Sequence, residues 1–299
     1  MKILVSGSSG LVGSALVPVL VARGDTVVRL VRTAAQAQEG TIVWEPAAGV
    51  LDQSSLEGFD GVVHLAGESI AQRWTDELKA RIRDSRVKGT QLLSQTLSRL
   101  SSPPAVLVSA SAIGYYGDRG DEFLLEESPP GRGFLADVCK SWEEASQPAA
   151  EKGIRVVKLR IGVVLSSKGG ALAKMLPPFE MGFGGPLGSG KQYMSWISLE
   201  DIVGVIEAAL SDERLKGPIN AVAPNPVTNK QFSDSLGAVL KRPAVFPVPA
   251  FGIRLLFGEM ADEVLLASQR GQPHRLSAID YPFRHRTLEA GLRSALGKP

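Results

Sequence analysis

The feature that most constrains this chain lies near its start. Ile3-Leu4-Val5, an apolar β-type run, leads into Gly7-Ser8-Ser9-Gly10-Leu11-Val12-Gly13, and a helical pattern opens at Leu11 and runs to Arg23. Glycine permits a tight turn and a close backbone approach. A turn of this kind leaves backbone N–H groups and the positive end of the helix dipole facing an anion. Gly13 lets the helix pack closely on the strand. The spacing is G-x-x-G-x-x-G rather than the common G-x-G-x-x-G. At the first strand–helix junction of a β-α-β unit, the triplet predicts a pyrophosphate cradle running from Gly7 to Gly13.

The rest of the first half alternates in the same way. Runs at 26–31, 41–44, 61–66, 105–109 and 155–159 read as strands, and patterns at 75–99 and 135–151 read as helices. Strands that are apolar throughout, separated by helices, indicate a parallel sheet covered on both faces. Right-handed crossovers make such a sheet doubly wound. The expected class is α/β, with a Rossmann-type doubly wound parallel sheet over residues 1–165. Glycine and proline become dense after Leu165, so residues 166–299 are expected to form a smaller, loop-rich C-terminal domain. Trp196-Ile197-Ser198 and Ile219-Asn220-Ala221-Val222 look like strands, which predicts that 196–224 return to the first sheet. Pro18 falls inside the first helix and predicts a kink or a shorter helix there.

Composition removes several classes of function. A chain of 299 residues can bury a sizeable core without a disulfide or metal staple. Its 33 basic and 31 acidic residues leave a formal charge of +2, too little field to attract nucleic acid or a membrane surface. Cys139 is the one cysteine, and with three widely spaced histidines it predicts no metal cluster. The first apolar run is too short for a secretory signal, and Leu11 to Ala22 is too short and too interrupted to span a bilayer. A cytoplasmic location is the expectation. Gly185 to Lys191 matches G-x-x-x-x-G-K, but Gln192 stands where a P-loop needs Ser or Thr. The stretch from Gly182 to Gly190 reads instead as a loop over a substrate crevice.

The end of the second strand selects the dinucleotide. An acid there would accept ribose hydroxyls, whereas an arginine suits a 2′-phosphate. Val31-Arg32-Thr33 carries no acid, and Arg32 can make a charge-assisted, bidentate phosphate contact. NADP(H) is therefore favoured over NAD(H). Leu65, Ala66 and Gly67, at the carboxyl end of the fourth strand, are expected to line the adenosine side, with His64 packed in the sheet.

These residues resemble the extended short-chain dehydrogenase/reductase superfamily. The likeness rests on the glycine turn, His64-Leu65-Ala66-Gly67, Ser109-Ala110-Ser111 with Tyr116-Gly117, Arg160-Ile161-Gly162-Val163-Val164-Leu165, and Trp196-Ile197 with Asp201. Segments such as Arg73-Trp74, Trp142-Glu143 and Gly184-Gly185-Pro186-Leu187-Gly188 look like a narrower "epimerase family" group with its own C-terminal domain. The resemblance implies NADP(H) contacts at Arg32, Leu65, Ala66, Arg81, Arg86 and Val164, with Gly162 in the same motif and Ser109 beside the nicotinamide.

The resemblance breaks at the catalytic pair. That superfamily uses a tyrosine four residues before a lysine as its proton donor and acceptor. By register against Glu143, Leu135 and Cys139 occupy those two positions. Lys140 points about 100° away on a helix. Ser111 remains to orient a carbonyl, with Tyr116 or Tyr115 as proton donor. The leading expectation is an NADP(H)-dependent oxidoreductase or epimerase-like enzyme acting on a carbonyl or sugar-nucleotide-like substrate. The rivals are a non-catalytic NADP(H) sensor or partner-binding protein, and a nucleotide-sugar binder without redox chemistry.

Overall fold

The computed structural model describes residues 1–298. From the N-terminus, β1 (Lys2–Ser6), α1 (Leu11–Ala22), β2 (Thr26–Val31), β3 (Thr41–Glu45), β4 (Val50–Leu51) and β5 (Gly61–His64) lead to α2 (Asp76–Ser98) and β6 (Val106–Ala112). Next come β7 (Phe123–Leu124), α3 (Phe134–Glu144), α4 (Gln147–Glu151), β8 (Arg155–Ile161) and β9 (Val163–Leu165). The remainder holds α5 (Gly170–Glu180), β10 (Tyr193–Met194), β11 (Trp196–Ser198), α6 (Leu199–Ser211), β12 (Gly217–Ala221), β13 (Val227–Thr228) and α7 (Asn229–Leu240). It closes with α8 (Ala250–Phe257), β14 (Arg270–Gly271), α9 (His274–Ala278) and α10 (Leu288–Ala295).

Eight strands form the central sheet in the order β12-β8-β6-β5-β1-β2-β3-β4. All pairings are parallel except that of β4 with β3. Both faces are covered, and alternate residues of each strand feed opposite cores. Ile3, Val5, Val63 and Val108 join Leu16 and Leu20 of α1 and Ile202 and Ile206 of α6. Leu4, Val62 and Leu107 join Trp44 and Leu93 and Leu97 of α2. This is the doubly wound α/β arrangement. Ser6, His64, Ser109 and Lys158 stand in register at its carboxyl edge, where the strand order reverses around β1.

Within 196–224, β12 joins the sheet edge beside β8, and β11 pairs with β9 in a separate two-stranded ribbon. α1 runs through Pro18 to Ala22, so the shorter helix is not formed. The helix expected over 135–151 divides, because Pro148 cannot donate to, and sterically excludes, the carbonyl four residues earlier; Pro148 sits instead in the first turn of α4.

Candidate functional site

The glycine turn is packed without slack. Gly7 has φ +68°, and a β-carbon there would lie 2.7 Å from the Leu65 carbonyl carbon. A β-carbon on Gly13 would lie 2.2 Å from the Gly7 oxygen. No other residue fits either position. Gly10 is the N-cap of α1 and offers no side-chain cap, and the first turn carries no acid. The first turns of α2, α6 and α7 are each closed by a Thr or Ser side chain. Ser8 and Ser9 extend the turn, and Leu11 and Val12 turn their side chains inward against Gly170 and the core. An open concavity of about 390 Å³ lies over this end of α1, lined by Ser9, Gly10, Leu11, Ser14, Lys168 and Gly169. It presents N–H groups and one lysine, the chemistry an oxyanion needs.

Arg32 follows β2 at the same edge of the sheet, exposed and without a side-chain partner among the described residues. Arg86 lies inward. Its guanidinium lies beside Gly67, stacks over Trp142 at 5.1 Å and donates to the Ile82 carbonyl at 3.1 Å. Among the described residues no carboxylate pairs with it, and burial pulls it down from the ordinary arginine value, opposed by Cys139 and Glu68. A largely desolvated cation facing the turn after β5 is a second demand for an anion there. Arg81 is exposed on α2. Leu65 and Ala66 are half-buried, their backbone against Gly7. Gly162 has a packing reason of its own: a β-carbon would lie 2.7 Å from the Ser195 oxygen. Val164 pairs with Ile197.

The serine–tyrosine loop departs from expectation. Ser111 is buried and its hydroxyl donates to Glu143 Oε1 at 2.8 Å. A carboxylate only accepts, so the Ser111 proton is committed and its oxygen is left as an acceptor. It cannot donate to a carbonyl in this arrangement. Glu143 also takes Nε and Nη2 of Arg160, at 2.8 and 3.0 Å. Arg160 Nη1 donates to the Tyr116 hydroxyl at 2.8 Å. Tyr116 is fully buried, its hydroxyl 2.8 Å from both the Leu125 carbonyl and Asn220 Oδ1. Burial pushes its pKa up to about 12. Tyr116, expected as a proton donor to a substrate, has its hydroxyl held in this buried network. Tyr115 is half-buried, with its ring 3.5 Å from the Arg160 guanidinium, and it is the remaining phenol of the loop. Burial raises its pKa as well.

Leu135 faces Gly114 of that loop, at 3.6 Å from an added β-carbon. Cys139 is buried, and desolvation with the nearby Glu143 pushes its thiol up to about 12, so it holds no thiolate at neutral pH. Ser109 is buried, with one long contact to the Ala110 carbonyl. His64 is buried, 2.6 Å from Ser6 Oγ.

Sequence reading missed the Glu143–Arg160 pair, although a charged residue inside the apolar run of β8 signals a buried partner. It also missed Glu263, whose carboxylate accepts from the backbone N–H of Phe134 at 2.7 Å and of Leu135 at 2.8 Å. A residue from beyond α8 thus caps α3. Asp201 does more than close the first turn of α6 with Ser198. Its carboxylate, wholly buried, accepts from the N–H groups of Arg284 and His285. The glycine-rich stretch after α5 packs on the C-terminal segment, with Gly185 against the Phe246 backbone. Among the described residues no helix is long and apolar enough to cross a membrane.

Comparison with known proteins agrees with this geometry. Residues 3–221 match the NAD dependent epimerase/dehydratase family, and 248–295 match a domain of unknown function, DUF1731. Epimerase family protein Mb2239 of Mycobacterium bovis is 44% identical over 298 residues, covering 99% of this chain and 98% of its own. Epimerase family protein SDR39U1 of Homo sapiens is 35% identical, covering 98% and 99%. The crystal structure of human SDR39U1 (isoform2) with NADPH superposes with TM-score 0.91 at 33% identity over 100% of both chains. A nucleoside-diphosphate sugar epimerase from Corynebacterium glutamicum gives 0.82 at 38% identity, covering 99% of this chain and 58% of that one. The chain belongs to the NAD-dependent epimerase/dehydratase family.

Proposed function

We propose that this protein binds NADP(H) across the carboxyl edge of its sheet and does so without the proton-transferring tyrosine–lysine pair of the wider superfamily. The observation that carries the first half is the open, acid-free cradle at Gly7–Gly13 with Arg32 beside it. The pyrophosphate would lie on the first turn of α1, the 2′-phosphate at Arg32, and Arg86 would meet an anionic part of the bound molecule. That the human relative is crystallised with NADPH supports the choice of cofactor. The second half rests on Leu135 and Cys139 at the tyrosine and lysine positions and on the committed hydroxyls of Ser111 and Tyr116. Binding, read out as a redox-state sensor or through a partner, is the function this geometry supports best.

The test is thermal denaturation with NADPH and NADH at matched concentrations. A ligand at 100 times its Kd stabilises by about 2.7 kcal/mol. NADPH is expected to stabilise far more than NADH. Arg32→Ala is expected to weaken NADPH at least tenfold while leaving the ligand-free Tm unchanged, because the side chain has no partner to lose. Stabilisation by NADH alone, or by neither, refutes the reading.

One observation favours a second reading, an NADP(H)-dependent oxidoreductase or epimerase-like enzyme. Tyr115 is half-exposed on the loop that Leu135 faces and could supply a proton to a carbonyl or nucleotide-sugar-like substrate. The Corynebacterium protein's description as a nucleoside-diphosphate sugar epimerase supports that substrate class. NADPH oxidation against a broad carbonyl and nucleotide-sugar panel decides between the two. Turnover that falls at least tenfold in Tyr115→Phe establishes the enzyme, and no turnover across the panel leaves the sensor.

A further inference from the structure

Away from the cofactor crevice, the fold assembles a cluster that wide sequence spacing hides. Glu126 and Glu127 follow β7, and His274 opens α9 in the C-terminal segment. Each offers one ligand atom, and the three atoms lie within 4.8 Å of one another. Glu126 is 2% exposed. Its Oε1 accepts from the backbone N–H groups of Asn220 at 3.1 Å and Arg275 at 3.2 Å. Its Oε2 is buried and has no partner among the described residues. An unpaired buried carboxylate oxygen keeps its full desolvation penalty. The wide spacing of the three histidines and one cysteine, from which no metal cluster is expected, does not show this grouping, because two of its three members are carboxylates.

We propose that Glu126, Glu127 and His274 form a divalent metal site, with Glu126 as the buried anchor and the two exposed side chains as an outer clamp. Charge fits a dication. Two carboxylates stand against one guanidinium, that of Arg275, which holds Glu127 Oε1 at 3.1 Å. One imidazole with two carboxylates suits Zn²⁺ or a neighbouring first-row ion over Mg²⁺, which takes an all-oxygen shell. Three protein ligands leave a position for water. The ion would tie the loop after β7 to α9, and so join the sheet domain to the C-terminal unit.

The test uses the full chain, tag-free and stripped with a chelator. Zn²⁺ is titrated calorimetrically, with circular dichroism to verify folding of each variant. Wild type is expected to bind one saturable equivalent that millimolar Mg²⁺ does not displace. His274→Ala, an exposed change, and Glu126→Gln, which keeps the Oε1 acceptor for both N–H groups, are each expected to weaken binding at least tenfold. His285→Ala, near Asp201 instead, is expected to leave it unchanged. Absence of saturable binding in wild type, wild-type affinity in either site variant, or loss of binding in His285→Ala overturns the proposal.

Discussion

His64 shows at the scale of one residue how the sheet edge is built. Its ring stands edge-on to Trp44, 5.8 Å between centroids, and Nε2 has no partner among the described residues. Burial pulls its pKa from 6.5 down to about 4. The unfolded chain takes up this proton near pH 6.5 and the folded chain only near 4, so between the two the unfolded state binds more protons. Stability is then complete above about pH 6.5 and falls as the pH drops toward 4, by about 2 kcal/mol at pH 5. Urea unfolding at pH 7.5 and 5.0 is expected to show that extra loss in wild type and not in His64→Gln; equal losses would remove His64 as the cause. Single residues are also where sequence reading stops. The conformation of the Gly7–Gly13 turn and the place of Arg32 at a strand end are legible because each is dictated locally. The surroundings of Tyr116 and Ser111 are not legible, because their partners, Arg160, Asn220 and Glu143, come from β8, β12 and α3, and only the folded chain brings them together.

Among the elements, β1, β2 and α2 are readable almost to the residue, since apolar periodicity marks them and Thr75 caps the start of α2. α3 and α4 read as one helix because periodicity continues across a break that Pro148 imposes. Periodicity places the start of α3 within one residue, but no capping signal marks it, for Gly133 supplies no side-chain cap. Its cap is Glu263, in a segment no pattern links to it. Glu263→Ala is expected to destabilise the protein by about 1 kcal/mol through the lost cap and dipole contact. Glu263→Gln, which keeps an acceptor but not the charge, should lose less. Chemical denaturation measures both, and an unchanged midpoint in Glu263→Ala would show that the contact contributes nothing to stability.

For the whole molecule, the sheet class followed from the β-α alternation, but the integration of the C-terminal unit did not. Residues 248–295 supply Leu276 to the core under α1 and α6. They give Leu288 and Leu292 to the core around Trp196, and Met260 to the core between α2 and α3. A segment that shares three cores cannot unfold alone without exposing all three. Calorimetry is expected to show one transition, with calorimetric and van't Hoff enthalpies equal; two separated transitions would show the units to be independent.

The contact of Gly7 with Leu65 and Ala66, backbone against backbone, has a kinetic meaning. If the Gly7–Gly13 turn takes the pyrophosphate as proposed, it is a finished mould, fixed by strands that are already paired and by a helix that cannot approach more closely. A molecule that enters it has no loop to fold and spends none of its affinity on ordering one. Differences in affinity among related dinucleotides at this site would then reflect the groups at its two ends, and would appear mainly as differences in how long each one stays.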